Sequence, residues 1–70
     1  MVDIEKLKKT IQDSGMTMVA VSQKSGITRE TLYNRIKGVG DFTATEIIGL
    51  SKALNLKKTE REQIFFKTKV

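Results

Sequence analysis

The side chains between positions 28 and 37 have the chemistry needed to recognise the edges of DNA bases. Arginine and lysine can donate to guanine, asparagine can form two hydrogen bonds with adenine, and glutamate can accept from cytosine. Because a helix turns by about 100° per residue, Leu32 and Ile36 would share one face of a helix through this segment. The opposite face would carry Glu30, Tyr33, Asn34 and Lys37. Arg29 and Arg35 flank the apolar stripe, so the spacing predicts either a base-reading helix or an ordinary solvated surface.

The composition leaves few groups for catalysis. The chain has no Cys and no His, which excludes disulfides, thiolate metal ligands, Cys nucleophiles and His-based acid–base pairs. The acidic residues are scattered over predicted helix exteriors and caps, so the converging carboxylates of a hydrolase are not expected. Gly38 and Gly40 lack the following Lys and Ser or Thr of a nucleotide-binding loop. We therefore expect no enzyme activity, no cofactor, no metal site and no small-molecule substrate.

Length and charge favour one small domain with a polyanionic partner. Seventy residues are enough for a single domain, which we expect to span residues 1–70. Thirteen Lys and Arg against eight Asp and Glu give a net charge of +5, a balance that favours nucleic acid over an uncharged partner. No apolar run is long enough for a membrane span, and the Lys-rich start lacks the apolar stretch of a signal peptide. We expect a cytoplasmic protein without a membrane partner.

Capping signals divide the chain into five predicted helices and no strand. Helix starts are predicted after residues that readily accept a backbone N–H, namely Asp3, Thr17, Thr28 and Thr43. Helix ends are predicted before residues that readily adopt a left-handed backbone, namely Gly15, Gly26, Gly38 and Asn55. The predicted helices cover about 4–14, 18–25, 29–37, 44–54 and 58–67.

Two of the predicted helices carry a second start signal. Thr43 and Glu46 have capping-box spacing, in which each side chain accepts a backbone N–H from the other residue. Thr59 and Glu62 have the same spacing near the start of the fifth helix, although that start could also lie two residues earlier. The final residues, 67–70, are expected to be flexible.

The second and third predicted helices, joined around a glycine turn, resemble a known motif. The segment TMVAVSQKSGITRETLYNRIKG is similar to the helix-turn-helix of phage repressor and Cro proteins, the Xre-like or lambda-repressor-like family. The matching features are the Thr17 cap, Val21, the turn Gly26-Ile27-Thr28, Leu32, and Gly38 twelve residues beyond Gly26. Small phage regulators of Gram-positive bacteria resemble the downstream segment DFTATEIIGLSKALNLKKTEREQIFF. Together the resemblances cover Asp3 to Phe66 and imply an all-α, five-helix, lambda-repressor-like domain.

The resemblance also implies which residues contact DNA. Base contacts would come from Thr28, Arg29, Glu30, Tyr33, Asn34 and Lys37. Phosphate contacts would come from Thr17, Met18, Lys24, Gly38 and Thr43. Two positions depart from the family pattern, since Ser22 stands where Ala is usual and Met18 stands where many relatives carry a phosphate-binding Gln. We expect the Ser22 hydroxyl to donate to the Met18 carbonyl and the backbone N–H groups near Met18 to face a phosphate.

Two functions fit the resemblance. The first is a sequence-specific, double-stranded DNA-binding transcriptional regulator, a Cro-like repressor acting in a bacterial host cell. The alternative is a repressor modulator or antirepressor that uses the same fold to dock onto a partner repressor protein. Phe65 and Phe66 bear on association, because adjacent helix residues do not face the same way. We expect one of them in the core and the other at a homodimer or partner contact, unless both simply cover the end of the domain.

Overall fold

Four side-chain caps determine where the first four helices begin. In the computed structural model, which describes residues 2–66, Oδ1 of Asp3 accepts from the backbone N of Lys6 at 3.1 Å. The hydroxyls of Thr17, Thr28 and Thr43 likewise each accept from the backbone N–H three residues on. These caps start helices α1 (Ile4–Ser14), α2 (Met18–Ser25), α3 (Arg29–Lys37) and α4 (Ala44–Ala53). The four predicted starts are confirmed.

Left-handed residues end these helices as the sequence predicts. Gly15, Gly26 and Gly38 have φ values of 74°, 77° and 93°, a region in which a Cβ is strained. Asn55 is the one non-glycine residue with positive φ in the part of the chain that the structure describes, at 53°. It follows the C-cap Leu54, so α4 ends one residue before its predicted end.

The fifth helix begins at the predicted residue, Lys58, but differs from the prediction in its cap and in its later turns. Helix α5 covers only Lys58–Arg61 and continues directly as a π-helical turn, Glu62–Phe66. It starts after Lys57, whose backbone N donates to Oε1 of Glu60 at 2.9 Å. The predicted capping box of Thr59 and Glu62 is therefore wrong, and the earlier of the two starts is the observed one. The expected extension to position 67 and the expected flexibility of residues 67–70 fall outside the described residues.

One apolar cluster holds the helices together. Its buried members come from every helix except α5, and also from the α2–α3 turn and the π-helical turn: Leu7, Ile11, Val21, Ile27, Leu32, Leu50, Ile64 and Phe65. Half-buried Ile36, Phe42 and Ile47 pack against this cluster. Residues 2–66 contain no strand, and no helix among them is long and apolar enough to cross a bilayer. The all-α, five-helix prediction is confirmed.

Close packing of α2 against α4 positions the helices that carry the candidate site. Gly49 lies at this contact, where an added Cβ would overlap the backbone carbonyl oxygen of Ser25. The backbone N of Asp3 donates to the carbonyl of Ile64 at 2.6 Å. This bond fixes the start of α1 against the π-helical turn, so both ends of the described chain are tied to the same core.

Candidate nucleic-acid interface

Two serines hold the turn between α2 and α3. The Ser22 hydroxyl donates to the carbonyl of Ile27, five residues later. The Ser25 hydroxyl donates to the Ser22 carbonyl at 3.2 Å and accepts from the backbone N of Ile27 at 3.3 Å. The expected bond from Ser22 to the Met18 carbonyl is therefore wrong, because the folded turn brings the Ile27 carbonyl within reach. The result is a tightly bonded turn that sets the angle between α2 and α3.

Helix α3 has the two faces that the sequence predicts. Leu32 is fully buried and Ile36 packs against the core, whereas the Tyr33 side chain on the other side is 44% exposed. Arg29, Glu30 and Lys37 are also exposed, and Asn34 is half-buried. Within residues 2–66, Glu30 forms no ion pair. The polar face of α3 is thus an accessible surface with two basic side chains, one acid, one amide and one phenol.

Arg35 belongs to the scaffold rather than to this polar face. Its Nε donates to Oε1 of Glu46 at 3.2 Å, and its Nη1 donates to the carbonyl of Val39 at 3.2 Å. The same Glu46 oxygen accepts from the backbone N of Thr43 at 3.0 Å, which completes the predicted capping box of α4. Arg35 therefore ties the end of α3 to the start of α4. Sequence reasoning missed this contact because no local pattern links residues eleven positions apart.

The fold brings Thr43, a candidate phosphate contact, close to Thr28, a candidate base contact. Thr28 and Thr43, the caps of α3 and α4, line one shallow groove together with Thr31 and Thr45. The Thr28 hydroxyl accepts from the backbone N of Thr31 and donates to the hydroxyl of the same residue at 3.0 Å. Gly38 closes the end of α3 and leads into the loop before Thr43. This side of the molecule thus presents two helix N-termini and their hydroxyls.

The remaining phosphate candidates are found on α2. Thr17 is exposed and its hydroxyl accepts from the backbone N of Ala20 at 3.1 Å. Met18 is half-buried, and its thioether has no hydrogen-bond donor, so a phosphate contact there would use its backbone N–H. Lys24 is exposed in the last turn of α2. The start of α2 is therefore accessible at Thr17, and the exposed Lys24 places a positive charge near the end of the same helix.

A second groove joins α1 to the polar face of α3. Tyr33 and Met18 line it together with Lys8 and Gln12, two residues of α1 that sequence reasoning did not select. Their helical positions alone mark Lys8 and Gln12 only as outward-facing residues of an amphipathic helix. Their proximity to α3 depends on how α1 crosses the core, which the sequence pattern does not encode.

The two adjacent phenylalanines have different surroundings. Phe65 is 3% exposed and its ring meets that of Phe42 edge-on, with centroids 5.5 Å apart. Phe66 is 51% exposed. Phe65 is therefore the core residue of the pair, because its ring is already covered by the core. Phe66 keeps the expected role at a homodimer or partner contact, which stays a prediction.

The model of one known protein family matches most of the chain. The model of a helix-turn-helix family matches residues 7–61, a range that includes all of α2, α3 and α4. No curated protein and no solved structure matches the chain significantly. The family match covers the bonded turn, the polar face of α3 and the capped start of α4 described above. The chain therefore belongs to the Cro/C1-type helix-turn-helix family of DNA-binding regulators.

Proposed function

We propose that this regulator binds a specific operator in double-stranded DNA and acts as a Cro-like repressor of the phage type in a bacterial host. Helix α3 enters the major groove, which is wide enough for an α-helix. The observation that carries the proposal is the accessible polar face of α3, opposite the buried Leu32. An α-helix with its side chains is about 10–12 Å across, which fits the width of about 12 Å of that groove.

The side chains of α3 divide into base readers and anchors. Arg29 and Asn34 are the best readers, since an Arg can bond guanine and an Asn can bond adenine through two hydrogen bonds each. Tyr33 contacts a thymine methyl through its ring or a phosphate through its hydroxyl. Glu30 reads a cytosine, and Lys37 at the helix end serves as an anchor.

Thr28 takes part at the start of the same helix. Its hydroxyl already caps α3, so its base contact would use the second lone pair or the methyl group. Phosphate contacts come from the backbone at Thr17 and Met18, the Lys24 ammonium, and the segment from Gly38 to Thr43. These contacts fix the register of α3 without reading sequence.

A second copy of the chain is the proposed partner on DNA. Phe66 borders two surface grooves, one of which contains Asp41 and the other Arg61. In a two-fold dimer the same patch meets itself, so residues on opposite sides of the axis contact each other. A two-fold axis near Phe66 that sets one groove against the other would pair Asp41 with Arg61 of the partner subunit. This charge complementarity, together with the exposed apolar ring, supports self-association through the Phe66 side of the molecule.

A selection from random duplex DNA tests the proposed function. The isolated protein is mixed with a randomised duplex pool, bound sequences are enriched, and the best duplex is titrated against a scrambled version. We expect one recurring motif and a preference of at least about 10³-fold for it, as specific DNA-binding proteins show. Enrichment of no motif, with tight binding to a partner repressor instead, would support the docking function and contradict operator recognition.

A further inference from the structure

A groove between α1 and α3 has an almost entirely apolar surface, and two of the residues that border it, Lys8 and Gln12, are not among the proposed readers and anchors. Its lining is Lys8, Ile11, Gln12, Met18, Tyr33 and Ile36. The floor is apolar, and the Lys8 ammonium and the Gln12 amide are the groups on the α1 side that can donate hydrogen bonds. Tyr33 forms the opposite wall, so the groove is continuous with the polar face of α3.

We propose that Lys8, assisted by Gln12, binds a backbone phosphate of the duplex beside the major groove that α3 enters. This inference rests on the proposed function and adds helix α1 to the DNA-binding surface. Phosphates line both edges of the major groove, so side chains next to a reading helix meet the DNA backbone rather than the bases. The ammonium of Lys8 and the amide of Gln12 are suitable hydrogen-bond donors for a phosphate oxygen.

The surroundings of Lys8 favour release of its present partner. Lys8 Nζ lies 3.6 Å from Oε2 of Glu5, with side chains that are 54% and 88% exposed. An exposed pair of this kind contributes little, because water solvates both charges. The apolar floor of the groove supports the Lys8 methylene stem and leaves the ammonium at the surface. A phosphate that approaches Tyr33 can therefore replace Glu5 at small cost.

Lys9 provides a matched control on the same helix. It has the same charge, lies one position along α1, and also pairs with an exposed acid, Asp13, at 3.9 Å. Its side chain is 76% exposed and does not line the groove. A general effect of positive charge on DNA affinity should be similar for the two lysines, whereas a phosphate contact should distinguish them.

The test compares Lys8→Gln with Lys9→Gln in the full chain. Each variant is titrated with the selected operator and with scrambled duplex over a series of salt concentrations. For Lys8→Gln we expect the negative slope of log K against log salt to become shallower by about one unit. The affinity for both duplexes should fall by about 5- to 10-fold near 0.1 M salt. Lys9→Gln should keep the wild-type slope. Gln12→Ala should weaken both duplexes alike without changing the slope, since the amide is uncharged.

Equal salt slopes for Lys8→Gln and Lys9→Gln would overturn the phosphate site on α1. The proposed function would survive that result if Lys24→Ala still lowers the slope and the operator is still preferred. If the wild type shows no operator preference, the proposed function itself fails. Thermal unfolding of each variant confirms that the exposed substitutions leave the fold intact.

Discussion

Leu32 and Asn34 lie two positions apart on α3, yet one is fully buried and the other reaches the solvent-facing side. The helical period alone predicts this division, because a residue's face follows from its position in the turn. Hydrogen bonds formed by individual side chains are less predictable. The Ser22 hydroxyl bonds the Ile27 carbonyl rather than the carbonyl one turn back, and Arg35 finds Glu46 across a loop. The tertiary fold determines the hydrogen-bond partner of Ser22 and that of Arg35.

Substitution of the two α3 residues should separate stability from recognition. We expect Leu32→Ala to lower the free energy of unfolding by about 2–5 kcal/mol, because it opens a cavity in the core. Asn34→Ala should change it by no more than about 0.5 kcal/mol. Urea titration followed by circular dichroism measures both values. Similar losses for the two variants would mean that the faces of α3 are assigned incorrectly.

Among the helices, local signals predict the start of a helix well where only one residue nearby can act as its N-cap. Thr17, Thr28 and Thr43 each start a helix as expected. The start of α5 had two candidate positions, and the earlier one is observed, where the backbone N of Lys57 donates to Oε1 of Glu60. The π-helical turn that follows has no local signature. Its adjacent residues Ile64 and Phe65 are both buried, an arrangement that depends on how the packed molecule closes around them.

Gly49 should be required for the packing of α2 against α4. Alanine is favoured over glycine within a helix by about 1 kcal/mol, so propensity alone predicts that Gly49→Ala is stabilising. We expect the opposite, a loss of about 1–3 kcal/mol, because the new Cβ would overlap the rigid Ser25 carbonyl. Urea unfolding measures the change. Lys52→Ala, at an exposed position of α4, serves as the control and should have little effect. A more stable Gly49→Ala protein would contradict this account of the α2–α4 contact.

For the molecule as a whole, composition predicts a basic domain and the capping signals predict its helices, but the surface used for association depends on how separate helices meet. Exposed Ile48 of α4 and exposed Phe66 of the π-helical turn border the same apolar groove. The two residues are far apart in the sequence, so no periodic pattern indicates that they are neighbours. Sequence reasoning identified the pair Phe65 and Phe66 as important without distinguishing the core ring from the surface ring.

Phe66→Glu should therefore abolish cooperative operator binding while leaving the monomer folded. The ring is 51% exposed, so a charge there remains hydrated in the monomer but would be repelled by its copy across a two-fold axis. Gel-shift titration on an operator with two half-sites, and sedimentation of the free protein, measure the effect. Phe65→Glu should instead unfold the domain, because it buries a charge. Unchanged cooperativity in Phe66→Glu would remove this surface from the proposed interface.

The proposal that α3 reads base sequence is tested by the affinity of α3 variants for selected and scrambled duplexes at two salt concentrations. Arg29→Ala and Asn34→Ala should each relax the preference at one base pair, with a loss of about 1–3 kcal/mol against the wrong base. Their affinity for scrambled DNA should change less. Lys24→Ala should weaken both duplexes alike and lower the salt slope by about one unit. The claim is contradicted if the wild-type protein shows no operator preference and Asn34→Ala binds every duplex as the wild type does.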